Sequence, residues 1–148
     1  MNVEKIIKTE KKLALPARTM IHFALVNIKI NETVTCALKP FDISEQQFNV
    51  LRILRGQEGK PANLSTINER MVTKMSNTTR LVDKLILKGY VDRTVCAANR
   101  RKVEITITKN GMKILTVLDK VMADTEMQLL QRFNEQELIK LNQLLNKF

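Results

Sequence analysis

The 148-residue sequence predicts a mainly α-helical domain that carries one small β-hairpin. Apolar residues recur at helical spacing through most of the chain, and the period changes to alternation once, between residues 90 and 107. Four glycines and three prolines leave no breaker-rich linker, so residues 1–148 read as a single domain. With 44% hydrophobic but only 4% aromatic residues and no Trp, the core must be mainly aliphatic. No apolar run approaches the ~20 residues of a membrane span, and the N-terminus lacks a signal-peptide cleavage pattern. The expectation is a soluble, cytoplasmic protein.

Taken in order, residues 1–15 are Lys-rich with scattered Ile and Leu, which suits a short helical lead-in before Pro16. From Ala17 to Leu38, Ile21, Ala24, Leu25 and Ile28 recur at helical spacing until Pro40 stops the run. Ser44-Glu-Gln-Gln47 is a capping box, opening a helix whose Phe48, Leu51 and Leu54 share a face and which Gly56 closes. Asn63 caps a short helix over residues 64–71 with Leu64, Ile67 and Met71 inward, and a tight turn of residues 72–75 follows.

A further helix opens at Ser76 and runs to Lys88, where Gly89 can take the left-handed conformation. Thr78, Leu81, Val82, Leu85 and Ile86 fall on one side of it; Ser76, Arg80, Asp83, Lys84 and Leu87 fall on the other, flanked by Asn77 and Thr79. Two helices joined by a brief turn, the second basic on its outer face, make a helix-turn-helix. Tyr90–Val95 and Arg101–Ile107 then read as two strands around the tip Cys96-Ala-Ala-Asn-Arg100, a hairpin that forms a wing. Thr108 caps a long helix striped by Met112, Leu115, Leu118, Val121 and Met122, and Asn134-Glu-Gln-Glu137 is a second capping box opening a Leu-rich last helix. Residues 17–38 and 109–148 carry more apolar surface than the winged lobe of residues 44–107 can cover, so they are expected to be dimerisation helices packing on a second copy.

The charge is regional. Of a net +10, residues 60–102 hold ten basic against three acidic side chains, and the rest of the chain is nearly balanced at fifteen against twelve. A basic surface that coincides with a winged helix-turn-helix suits duplex DNA, whose major groove of about 12 Å admits one α-helix. Asn77 and Arg80 are the base-reading candidates, since Asn pairs bidentately with adenine and Arg with guanine. Ser76 lets the backbone come close, while Lys74, Thr79 and Lys84 suit phosphates. Arg100 and Arg101 at the wing tip suit a narrow, strongly negative minor groove, with Arg101 favoured for insertion. In a two-fold dimer the recognition helices would lie ~34 Å apart on a pseudo-palindrome. The alternative is a winged-helix interaction module whose basic face meets a protein partner, RNA or an anionic surface.

Other chemistry finds little support. Cys36 and Cys96 lie far apart with no metal-ligand spacing, which excludes a structural zinc site and suits reduced thiols. His22, the only histidine, sits in an apolar helical pattern where packing explains it better than catalysis. No phosphate loop, H-E-x-x-H or nucleophile elbow occurs, so neither an enzyme nor a cofactor is expected.

These residues resemble the MarR family of bacterial transcriptional regulators over about residues 17–148. The specific pieces are Ser44-Glu-Gln-Gln-Phe-Asn-Val-Leu51, Ser76-Asn-Thr-Thr-Arg-Leu-Val-Asp-Lys-Leu85, Lys88-Gly-Tyr-Val91, Asn99-Arg-Arg101, Ile105-Thr-Ile-Thr-Lys-Asn-Gly111 and the last helix from Asn134. Asn99 stands where the family's wing usually has Asp; Val72 and Lys74 stand in the turn where a Gly and an acidic residue are common. The resemblance implies a homodimeric repressor, released by a small aromatic or lipophilic anion or by cysteine oxidation. It implies an effector pocket between the dimer helices and the DNA lobe, for which Met20, His22, Phe23 and Phe48 are the candidates. Cys96 near the wing and Cys36 near the end of the first long helix are the redox candidates.

Overall fold

Seven α-helices, one 3-10 turn and one antiparallel hairpin are seen in the computed structural model, which describes residues 2–72, 77–95 and 103–148. Helix α1 (Val3–Ile6) is a single turn held to the next helix by an Arg18–Glu4 ion pair of 2.9 Å. Helix α2 (Leu15–Leu38) starts two residues earlier than the sequence pattern suggests, because Pro16 fits inside the first turn, where its missing N–H is no loss. Its 24 residues make a rod ~36 Å long, yet only Val34 and Leu38 are buried. The 3-10 turn Lys39–Phe41 ends it, and Asp42 follows with φ 52°.

Helix α3 (Glu45–Arg55) begins with the expected capping box: Gln47 N–H donates to the Ser44 hydroxyl at 3.2 Å, and Ser44 N–H donates to the Gln47 side chain at 3.0 Å. Asn63 likewise accepts from Thr66 N–H at 2.8 Å to open α4 (Leu64–Arg70). Helix α5 (Thr78–Leu87) begins later than Ser76, with Asn77 as its N-cap; Ser76 lies outside the described residues. Gly89 follows at φ 69°, the left-handed value foreseen for the residue that ends this helix.

Strands β1 (Val91–Val95) and β2 (Val103–Ile107) pair in register from Val91 with Ile107 to Val95 with Val103. A lone antiparallel bridge adds Ala62 to Ile105 through two backbone hydrogen bonds of 2.9 and 2.8 Å, tying the hairpin to the segment before α4. Helix α6 (Lys109–Leu130) is capped by Thr108, whose hydroxyl accepts from Gly111 N–H at 2.9 Å and donates to the Gly89 carbonyl at 2.8 Å. Helix α7 (Glu135–Leu145) opens with the second capping box.

One aliphatic core joins these elements. It takes Val34 and Leu38 from α2, Phe48, Val50, Leu51 and Leu54 from α3, Ile67, Val82 and Leu85 from α4 and α5, Val91 and Ile105 from the hairpin, and Leu115 and Leu118 from α6. The core therefore lies in the winged lobe and the adjoining ends of α2 and α6. Most of α2 and the last turn of α6 lie beyond it, and α7 buries no residue at all. Their apolar side chains Leu15, Met20, Val26, Met127, Ile139 and Leu144 face solvent.

Candidate nucleic-acid interface

Helices α4 and α5 are tied together by Thr78, which is 7% exposed and whose hydroxyl donates to Asn68 Oδ1 on α4 at 3.1 Å. With Val82 and Leu85 also buried, rotation by 100° per residue turns Thr79, Arg80, Lys84 and Leu87 outward, and all four are exposed. Asn77 is exposed too, and its side chain makes no capping bond to its own helix, so the amide is not spent on capping. Arg80 has no ion-pair partner among the described residues. The N-terminal half of α5 thus presents an amide, a hydroxyl and a guanidinium within about one helical turn.

Of the residues expected to touch DNA, the structure brings Asn77, Thr79, Arg80 and Lys84 to one face. Lys74, Ser76, Arg100 and Arg101 lie outside the described residues, as does Cys96. Cys36 is exposed on α2. The four effector candidates divide by environment. Phe48 is 3% exposed, packed in the core with the Arg52 guanidinium 5.6 Å from its ring centroid. Met20 is 63% exposed and His22 half-buried, and the Phe23 ring meets Phe148 edge-on at 5.4 Å.

Three ties, two of them at α5 or its end, were not foreseen from sequence. Arg93 Nη1 on β1 pairs with Asp83 Oδ1 on α5 at 2.8 Å. The Lys88 ammonium, just past the end of α5, donates to the carbonyl and carboxylate of Asp42. That hydrogen bond and the Lys88 charge, with a smaller effect from Lys84, hold the Asp42 carboxyl below the ordinary aspartate range. Arg55 on α3 grips Asp119 on α6 with both terminal nitrogens. A signal existed only for the first: Asp83 is the lone acid on an otherwise basic face. The others join residues 46 and 64 positions apart, which spacing does not reveal.

The packing at the foot of the hairpin is equally specific. A Cβ built on Gly111 would lie 2.1 Å from the Tyr90 carbonyl oxygen and 2.7 Å from Ile107 Cγ1, so only glycine lets α6 start against the hairpin.

A helix-turn-helix followed at once by a hairpin, with a basic polar face turned out, defines a winged-helix protein of the kind found in transcriptional regulators. Residues 43–103 match the MarR family. The Escherichia coli regulator PapX is 31% identical over 115 residues, covering 74% of this chain and 70% of PapX. The multiple antibiotic resistance protein MarR of Escherichia coli K12 is 27% identical over 135 residues, covering 90% of each chain. The chain belongs to the MarR family. Its fold is that of a MarR mutant solved in complex with operator DNA, at a TM-score of 0.75 and 24% identity over 99% of this chain and 98% of that one. Among the described residues, no helix is long and apolar enough to cross a membrane.

Proposed function

We propose that this protein is a homodimeric repressor that binds a pseudo-palindromic duplex and is released by a small-molecule effector. The observation that carries the reading is the outer face of α5: Asn77, Thr79, Arg80 and Lys84 stand exposed, while the only acid on that face is neutralised by the hairpin. Arg80 and Asn77 read base edges in the major groove, and Thr79 and Lys84 hold phosphates, joined by Lys74 and Ser76. Arg100 and Arg101 at the wing tip enter the minor groove.

Dimerisation is supported by α7. A helix with its own capping box and with Leu138, Leu141, Leu144 and Leu145, but no buried residue, has a stripe that solvent does not favour. The exposed apolar side chains of α2 and outer α6 extend that stripe. An aromatic or lipophilic anion would find apolar groups at Met20 and Phe23 and an imidazole at His22. Cys36 is open to oxidants, and Cys96 is the second candidate for redox release.

Selection of duplexes from a randomised library by the purified protein tests the reading. The expected result is a two-fold-symmetric sequence whose half-sites lie about one helical turn apart. Recovery of no preferred duplex would refute it and favour an interaction module that uses the same face for another polyanion or a protein.

A further inference from the structure

Resting on that reading, we infer that Asp83 is a positioning residue, whose pair with Arg93 sets the hairpin against the recognition helix so that both elements meet DNA as one rigid unit. A carboxylate on the face of a helix that meets a polyanion is unfavourable on charge alone. Asp83 lies one turn from Thr79 and one turn from Leu87, on the flank of α5 that faces the hairpin. There it meets Arg93, the central residue of β1, at 2.8 Å. Arg93 stands opposite Ile105, the fully buried residue that Ala62 holds by two backbone bonds. The pair is therefore a strut from the middle of the hairpin to the middle of the recognition helix.

The strut has a mechanical task. The hairpin is tied to Ala62 at Ile105, and beyond that tie a two-stranded ribbon has little stiffness of its own. Val95 lies two residues past Arg93, ~7 Å at ~3.3 Å per residue, so a bend of ~20° at Arg93 would carry Val95 ~2.4 Å. That is enough to break a hydrogen bond. At their partial exposure the two charges add little to folding stability, so geometry is what they supply.

Charge and geometry predict opposite outcomes when the acid is removed. Asp83→Asn makes the DNA face more positive; if the pair only neutralised charge, binding would tighten, and freed Arg93 side chains would steepen the salt dependence. As a strut, its loss weakens binding to the selected duplex about five- to tenfold. Footprint protection is then lost at the hairpin contacts and kept at the major-groove centre, with the thermal midpoint unchanged. The exchanged pair Asp83→Arg with Arg93→Asp restores most of the affinity. Binding by Asp83→Asn as tight as wild type, or an unaltered footprint, overturns the inference.

A second measurement needs no DNA. Spin labels on Leu87→Cys and Thr94→Cys, in a chain with Cys36→Ser and Cys96→Ser and diluted with unlabelled protein, report the helix-to-hairpin distance. A narrow distribution that broadens with Asp83→Asn and narrows in the exchanged pair supports the strut; one that Asp83→Asn leaves unchanged refutes it. Failure of the wild-type protein to select any duplex would remove the regulator reading alone, and the label distances would still decide the strut.

Discussion

Replacing Gly111 by alanine should destabilise the protein although it improves a helix former. Gly111 lies in the first turn of α6, where alanine is worth ~1 kcal/mol more than glycine by propensity. Against this, the new methyl would stand 2.1 Å from the Tyr90 oxygen, 2.7 Å from Ile107 Cγ1 and 3.0 Å from the Tyr90 carbonyl carbon. Backbone cannot give way as a side-chain end can, so α6 must shift by ~1 Å, at an overpacking cost of ~1–3 kcal/mol. The same shift strains two bonds at the foot of the hairpin, Thr108 N–H to Tyr90 O at 3.0 Å and the Thr108 hydroxyl to Gly89 O at 2.8 Å, each worth ~1 kcal/mol. The balance is a loss of about 2–4 kcal/mol, or roughly 4–16 °C in thermal midpoint for a chain of this size. The assay is thermal and urea denaturation at matched protein concentration, with Gly56→Ala as control. Gly56 has helical backbone with φ −66°, and a Cβ there would find nothing nearer than 3.5 Å. A Gly111→Ala protein as stable as wild type or as Gly56→Ala would refute the close-approach reasoning.

Three further outcomes are expected. Arg80→Ala should relax base preference at one position of each half-site and cost ~1–3 kcal/mol of binding, whereas Lys84→Ala should weaken all duplexes alike and lower the salt slope by about one per protomer; competition binding across a salt series separates them. Because the folded Asp42 carboxyl titrates below its ordinary value of 3.8, its tie to Lys88 stabilises the fold fully above that value. The contribution disappears as pH falls through the depressed folded value, and an NMR titration of Asp42 should show the downward shift, abolished by Lys88→Met. Paired Leu141→Glu and Leu144→Glu substitutions should yield a monomer by sedimentation with the helical content and core of the winged lobe intact, since α7 buries nothing within its own protomer.

Much of the fold is readable because it is local. Capping boxes at Ser44 and Asn134, the cap at Thr108 and the left-handed Gly89 each announce themselves within four residues, and all four are found. The outward face of α5 follows from 3.6-residue periodicity alone. Features made by distant residues do not announce themselves. The Arg55–Asp119 and Lys88–Asp42 pairs join segments that only tertiary packing brings together, and the bridge from Ala62 to Ile105 extends the hairpin by one residue of apparent loop. Phe48, an effector candidate by resemblance, lies in the core beneath Arg52, as its place on one face with Leu51 and Leu54 implies. Gly111 is visible as a glycine, but its need for close approach appears only once Tyr90 stands beside it.

Helix α6 is a cantilever. Of its 22 residues, ~33 Å of rod, the inner part is clamped by Leu115, Leu118, the Arg55–Asp119 grip and Met122, and the turns past the buried Thr125 reach beyond the core. Its root has no slack, because Gly111 touches the start of the hairpin and Thr108 is bonded to both Gly89 and Tyr90. A stiff beam fixed in this way delivers a sideways load at its far end as torque on its root. The root of α6 is also the root of the hairpin, so a load on the outer turns of this helix is borne at the place from which the hairpin springs.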